Sequence, residues 1–209
     1  ANVPAATSAS ITVVTSRTDY ATGTAQISAT STQTGVTPTL TAATPTANGF
    51  TTSISNLVTD YTYQVQSDSG IATLGSAGVI TVSGLNPGAS AVLTVTALRS
   101  GYSTTSTTIS GSAALGQAYI PVIGNVVSNA TGFTAEIANY DSAYTWSAVA
   151  EVAGPTITIT GEIITVAGVT LGASATVILT ATRTGYAPGT TQFSGVAIAP
   201  VVVTLGNQD

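Results

Sequence analysis

The sequence predicts an all-β chain built as tandem antiparallel β-sandwiches of about seven strands each. Three observations predict it. Sequence blocks recur at a spacing of 83 or 84 residues, the signature of a repeat architecture. Apolar and polar residues alternate at period two, as in Phe133-Thr134-Ala135-Glu136-Ile137 and Thr156-Ile157-Thr158-Ile159-Thr160. Turn signals such as Ala47-Asn48-Gly49, Ser69-Gly70, Asn86-Pro87-Gly88, Ser100-Gly101 and Pro188-Gly189 interrupt that alternation about every 8–12 residues, the spacing of a sandwich. No stretch sustains a 3.6-residue period with caps at its ends.

Each element follows from a recurrence. Residues 1–33 read as the closing part of an incomplete repeat. Ser8-Ala9-Ser10-Ile11-Thr12-Val13 matches the strands that begin at Ser90 and Ser174. Arg17-Thr18-Asp19-Tyr20 matches Arg99-Ser100-Gly101-Tyr102 and Arg183-Thr184-Gly185-Tyr186. Residues 34–115 and 116–197 read as complete repeats. Gly49-Phe50-Thr51 returns as Gly132-Phe133-Thr134, Tyr61-Thr62-Tyr63 as Tyr144-Thr145-Trp146, and Ile80-Thr81-Val82-Ser83-Gly84 as Ile164-Thr165-Val166-Ala167-Gly168. Threonine and valine dominate these blocks, and both suit a pleated, half-buried surface. Residues 198–209 contain Pro200-Val201-Val202-Val203-Thr204, which is similar to the stretches that begin at Pro38 and Pro121. They read as the opening strand of a further repeat or as a donor strand.

Composition removes whole classes of function. The chain has no Cys, no Met and no His, three cationic residues (all Arg) and eight acidic ones, for a net charge of −5. Without cysteine there is no disulfide, thiolate nucleophile or sulfur-ligated metal. Without histidine the commonest general base and metal ligand are gone. Three dispersed arginines cannot neutralise a phosphate backbone, so nucleic acid is not an expected partner. The uncharged run from Ile163 to Thr182 is long enough to span a bilayer. Gly168, Gly172 and Ser174 break it, and two strands around a turn is the better reading, so no membrane span is expected. No cofactor is expected either.

The repeat resembles the immunoglobulin-like and fibronectin type III-like modules of bacterial cell-surface proteins. The resemblance is carried by Gly84-Leu85-Asn86-Pro87-Gly88 followed by Leu93-Thr94-Val95-Thr96-Ala97, similar to the lead into the penultimate strand of a fibronectin-type module. Trp146 resembles the core aromatic of an immunoglobulin-like sandwich. The second repeat departs from the pattern, with Val169-Thr170-Leu171-Gly172 in place of Leu85-Asn86-Pro87-Gly88. The resemblance implies an extracellular, non-catalytic module. The acidic, threonine-, serine- and glycine-rich, cysteine-free composition agrees with an extracellular or cell-surface location in a prokaryote.

All three arginines occupy one repeat position, each followed three residues later by a tyrosine. Arg17 and Tyr20, Arg99 and Tyr102, and Arg183 and Tyr186 are therefore a candidate patch at the rim of the repeat. It serves either a glycan or partner through cation–π contacts, or the packing of a hairpin end. Phe50, Phe133, Tyr61, Tyr144, Tyr63 and Trp146 are expected core aromatics. Asp60, Asp68, Glu136, Asp141, Glu151 and Glu162 could form a carboxylate pair, but they do not recur. Asp60 matches Ala143 and Glu136 matches Ser53, so no enzyme is expected. Gln66-Ser67-Asp68-Ser69-Gly70 offers oxygen ligands for calcium or an ordinary turn. Asn129-Ala130-Thr131 is an N-glycosylation pattern, and Ser103 to Thr108 could carry O-glycans or form a polar strand.

These readings converge on a structural protein. Only 5% of residues are charged, where a freely soluble domain carries about 25%. Such a surface suits packing against neighbours, either adjacent repeats or further copies of the chain, or a coat of glycans. An isolated pair of strands is marginal in water, so either adjacent repeats of a longer array complete it or another copy does; in the second case Ile11, Val13 and Val14 are candidate acceptor residues for strand addition. Val201, Val202 and Val203 are the candidate donors, in a head-to-tail homo-oligomer. A stalk, fibre or filament subunit is one reading. An adhesin-type module for carbohydrate or a host protein, or an accessory domain of a secreted enzyme, are the others.

Overall fold

A computed structural model describes Pro4 and residues 6–200. Val201, Val202 and Val203 lie outside the described residues. The chain divides into two compact units, Ala1–Ala114 and Leu115–Asp209. The fold is all-β, in antiparallel sheets.

The first unit opens with a hairpin of β1 (Ser8–Thr15) and β2 (Gly23–Thr30), which pair in one uninterrupted antiparallel register from Ser8↔Thr30 to Thr15↔Gly23. Seven strands follow. They are β3 (Thr44–Thr46), β4 (Gly49–Ser53), β5 (Thr62–Ser67), β6 (Ile71–Leu74), β7 (Val79–Ser83), β8 (Ser90–Leu98) and β9 (Thr105–Ser112). They form a four-stranded sheet, β3-β4-β7-β6, and a three-stranded sheet, β5-β8-β9. The second unit repeats this with β10 (Ile123–Asn129), β11 (Gly132–Ile137), β12 (Thr145–Ala150), β13 (Thr156–Thr160), β14 (Ile163–Ala167), β15 (Ser174–Thr182) and β16 (Gly189–Val196). Its sheets are β10-β11-β14-β13 and β12-β15-β16. Each complete repeat is thus a seven-stranded sandwich of four strands over three, as the alternation and turn spacing predict.

Each sandwich has its own core. In the first, Phe50, Ile80 and Val82 of one sheet meet Leu93 and Val95 of the other. In the second, Phe133, Ile164 and Val166 meet Val177 and Leu179. The recurring Gly-Phe pair has a steric cause. A Cβ on Gly49 or Gly132 would lie about 2 Å from the carbonyl oxygen of Val82 or Val166, so only glycine allows the close strand pairing that starts β4 and β11. Opposite, Gly111 and Gly195 leave room for the rings of Phe50 and Phe133, which sit where a Cβ would be.

The opening strand differs between the repeats. β10 runs seven residues with a bulge between Ile123 and Val126. In the first repeat the irregularity is wider. Leu40 makes an isolated bridge to Ile54, and only Thr44–Thr46 continues as β3. Pro45 has no N–H for a ladder, which confines this segment to the sheet edge. The uncharged run Ile163–Thr182 forms β14, a turn and β15. Among the described residues no helix is long and apolar enough to cross a membrane.

Candidate functional site

Two features stand out: the arginine–tyrosine turn found three times, and the N-terminal hairpin. The turn has one geometry throughout. The tyrosine N–H donates to the arginine C=O three residues back, at 3.0 Å for Tyr20, 3.1 Å for Tyr102 and 3.0 Å for Tyr186. The residue directly before the tyrosine is left-handed, at φ 65° for Asp19, 77° for Gly101 and 83° for Gly185. Glycine takes that conformation freely, and aspartate is among the few other residues that tolerate it. The guanidinium carbon then lies over the tyrosine ring, at 4.7 Å for Arg17, 4.4 Å for Arg99 and 4.9 Å for Arg183.

In the complete repeats the guanidinium sits between two rings. Arg99 also lies 5.5 Å from the ring centre of Tyr61, and Arg183 lies 5.7 Å from that of Tyr144. Arg99 additionally pairs with Asp60 at 3.2 Å. Both groups reach solvent, so that ion pair contributes at most about 1 kcal/mol. The second repeat has Ala143 at that position and lacks the pair.

The segment leading into each complete repeat is clamped to the same turn. Gln33 N–H donates to Gly101 C=O at 2.8 Å, and Ser103 N–H donates to Gln33 C=O at 2.7 Å. Gly116 N–H donates to Gly185 C=O at 2.9 Å, and Ala187 N–H donates to Gly116 C=O at 3.0 Å. Both are parallel bridges. Gly116 lies against the Tyr186 ring so closely that a Cβ would stand 2.5 Å from it. The turn therefore tethers the start of a repeat to its last hairpin, a role that the arginine–tyrosine spacing alone does not reveal. The recurrence of a glycine before the tyrosine, with aspartate in its place at position 19, is the sequence signal that could have found it.

The hairpin differs from its counterparts β8–β9 and β15–β16 in having no second sheet over it among the described residues. All sixteen residues of β1 and β2 are exposed, with Ile11 at 64%, Val13 at 53% and Ile27 at 67%. The same positions of β8, Leu93 and Val95, are wholly buried at 0%. Ala9, Ile11 and Val13 share one face with Ala29, Ile27 and Ala25. Val14 lies on the other face, by the alternation of a strand. Ile11, Val13 and Ile27 therefore make up the larger apolar side chains of one face, and Val14 stands on the opposite one.

The other candidate residues have structural partners. Phe50 and Phe133 are wholly buried, while Trp146 and Tyr63 pack half-buried at the edge of each core. Trp146 Nε1–H donates to Asp141 C=O at 2.9 Å, whereas the Tyr63 hydroxyl accepts from Val58 N–H at 3.1 Å. Asp68 accepts from Val92 N–H at 2.8 Å, and Ser67 Oγ donates to Ser69 C=O at 2.7 Å, so this stretch forms a hydrogen-bonded turn. Asn129 is exposed, and its Oδ1 accepts from the N–H and hydroxyl of Thr131. Ser103 Oγ accepts from Gly35 N–H, and Thr105 Oγ1 donates to Val36 C=O, so two hydroxyls of the Ser103–Thr108 stretch are already engaged. A cleft of about 410 Å³ in the second unit is lined by Val152, Gly154, Pro155, Val169 and Thr170 among others, with no titratable side chain in its wall. Among the described residues no cluster of three carboxylates could hold a metal.

No family model matches the chain. No curated protein matches it either. Among solved structures it is similar to the human desmocollin-1 ectodomain at 8% identity and TM-score 0.30, covering 88% of this chain and 40% of that one. It is also similar to the tandem Ig repeats of Dlar, at 9% identity and TM-score 0.25, covering 79% of this chain and 98% of that one. A further likeness is to extracellular cadherin domains 1–5 of protocadherin gamma B2, at 10% identity and TM-score 0.26, covering 94% and 46%. The chain thus spans less than half the length of the desmocollin and protocadherin structures.

Proposed function

We propose that this chain is a non-enzymatic, extracellular structural subunit of a prokaryotic cell surface. It builds a stalk, fibre or filament by head-to-tail strand complementation between copies. The observation that carries this reading is the hairpin. Its apolar face is exposed at the positions that both complete repeats bury under a second sheet. A two-stranded ribbon with such a face is marginal in water, and strand addition is the usual way an open edge is satisfied.

The donor is the segment that follows the last complete repeat, residues 198–209, with Val201, Val202 and Val203 as its apolar residues. A contact between the end of one copy and the start of the next does not close, so it propagates as a filament. One donated segment is smaller than the sheet it replaces, so the joint is a smaller sandwich than a complete repeat. The adhesin-type reading rests on Tyr20, a residue 65% exposed with Arg17 over its ring. A glycan array that loses signal with Tyr20→Ala would favour it.

The test is electron microscopy of the native chain beside a version ending at Ile198, which keeps the hydrogen bond from Ile198 N–H to Asn129 C=O. Regular filaments from the first and dispersed particles from the second are expected. Filaments that persist without residues 199–209 would overturn the reading.

A further inference from the structure

A chain that serves as a stalk or fibre is pulled from its ends. Resting on that reading for the source of the pull, we propose that the lead-in segment and the last hairpin of each complete repeat form a latch that carries tension in shear. Three observations carry this.

The first is direction. Gln33 pairs with Tyr102, and Gly116 with Tyr186, as parallel bridges. The chain thus enters the first sandwich along residues 33–36 and leaves it along β9 in the same direction. Tension draws the lead-in toward its N-terminus and β9 toward its C-terminus. Hydrogen bonds between parallel strands lie across that pull. They are loaded together, whereas strands peeled apart from one end lose their bonds one at a time.

The second is the set of bonds. Beyond the backbone pair at Gln33, Gly35 N–H donates to Ser103 Oγ at 2.9 Å, and Thr105 Oγ1 donates to Val36 C=O at 2.7 Å. In the second repeat Ala187 and Gly189 stand at those positions and offer no hydroxyl. There Tyr119 holds the lead-in instead, stacked on Tyr144 at 4.5 Å with its hydroxyl donating to Asn139 C=O at 2.7 Å. Behind both latches one asparagine grips the next stretch. Asn56 Oδ1 accepts from Thr39 N–H at 2.8 Å and its Nδ2 donates to Thr37 C=O at 2.9 Å. Asn139 does the same for Val122 and Ile120, at 2.8 and 2.9 Å.

The third is the path of the load. The Gly101 and Gly185 carbonyls stand on turns braced by Arg99 between the Tyr61 and Tyr102 rings, and by Arg183 between those of Tyr144 and Tyr186. Gly116 follows the end of β9 at Ser112 by four residues. Of the residues between, Ala113 N–H donates to Ala89 C=O and Ala114 N–H donates to Thr46 C=O. Tension leaving the first sandwich therefore reaches the second latch across a short run of chain.

The chain has no cysteine, so pulling handles can be placed at will in the full-length chain. Thr32→Cys with Leu115→Cys loads the first latch in shear, and Thr32→Cys with Ser100→Cys peels it open. At one constant tension, the sheared sandwich is expected to outlive the peeled one by at least about tenfold, since several bonds of ordinary strength must yield together. Equal lifetimes would overturn the latch. Ser103→Ala with Thr105→Val is expected to shorten the lifetime in shear by about tenfold or more, through the loss of two such bonds. Leu93→Ala, a core change on β8, is expected to lower the urea midpoint more and the lifetime in shear less, because forced unfolding follows the barrier and not the equilibrium. Lifetimes that simply follow the urea midpoints across these variants would count against the latch. Filament formation by the unmodified chain is read separately by microscopy. Dispersed particles with the directional difference intact would remove the assembly reading and support the latch.

Discussion

At the scale of single residues, the chain is governed by where a Cβ fits. Phe50 and Phe133 are the largest fully buried side chains, and each lies over a glycine of the opposite sheet. In the second sandwich a Cβ on Gly195 would stand 2.3 Å from the Phe133 ring, which also packs edge-on to Phe193 at 6.2 Å. Gly195→Ala is therefore expected to destabilise that sandwich by about 1–3 kcal/mol, the usual cost of overpacking a filled core. Urea denaturation followed by Trp146 fluorescence reads it, since the only tryptophan sits against this core. No loss of stability would mean the sheets can separate to accept the methyl group. The tyrosine and tryptophan that share one repeat position make a related point. Tyr63 accepts a hydrogen bond from Val58 N–H, and Trp146, with a donor only, turns to Asp141 C=O in the same loop.

At the scale of elements, β1 and β8 carry the same pattern and have opposite surroundings. Ile11 and Leu93 occupy equivalent positions, yet one is 64% exposed and the other 0%. Leu93→Ala removes a buried side chain from a central strand and is expected to cost about 2–5 kcal/mol. Ile11→Ala is expected to leave the denaturation midpoint of the unassembled chain unchanged and to weaken assembly instead. Equal effects of the two on the unassembled chain would mean that β1 is buried after all. This pair also marks what was legible in the sequence. Alternation at period two exposed the strands, and the spacing of 83 or 84 residues exposed the repeat, because both are properties of side chains. The clamp at Gly101 and Gly185 was not legible, because a parallel bridge between backbone groups leaves almost no mark on side chains. The shortened β3 was hidden for a similar cause: the break between the Leu40 bridge and Thr44 changes backbone hydrogen bonding and leaves the alternation unmarked. The facing of Val14, opposite to Ile11 and Val13, becomes visible only with the strand register, because composition marks hydrophobicity and not direction.

At the scale of the whole molecule, the question is what force would hold copies together. Charge is a poor candidate. The chain has three cationic and eight acidic side chains, and the one ion pair among the described residues joins groups that both reach water. The groups the hairpin offers are backbone N–H and C=O, with Ile11, Val13 and Ile27 beside them. Contacts of that kind respond to salt differently from ion pairs. Screening at 1 M salt cuts the Debye length to about 3 Å and removes most attraction between exposed charges. Apolar burial is untouched by such screening, and it is strengthened by excluded salts such as sulfate. The critical concentration for assembly, measured by light scattering, is therefore expected to change less than about threefold between 0.05 and 1 M NaCl. It is expected to fall in ammonium sulfate, and to rise on cooling as the apolar contribution weakens. With a net charge of −5 on every copy, low salt can only add repulsion at the joint, so any drift with NaCl should run toward tighter assembly. Dissociation by NaCl would instead point to the arginines as the groups that hold copies together.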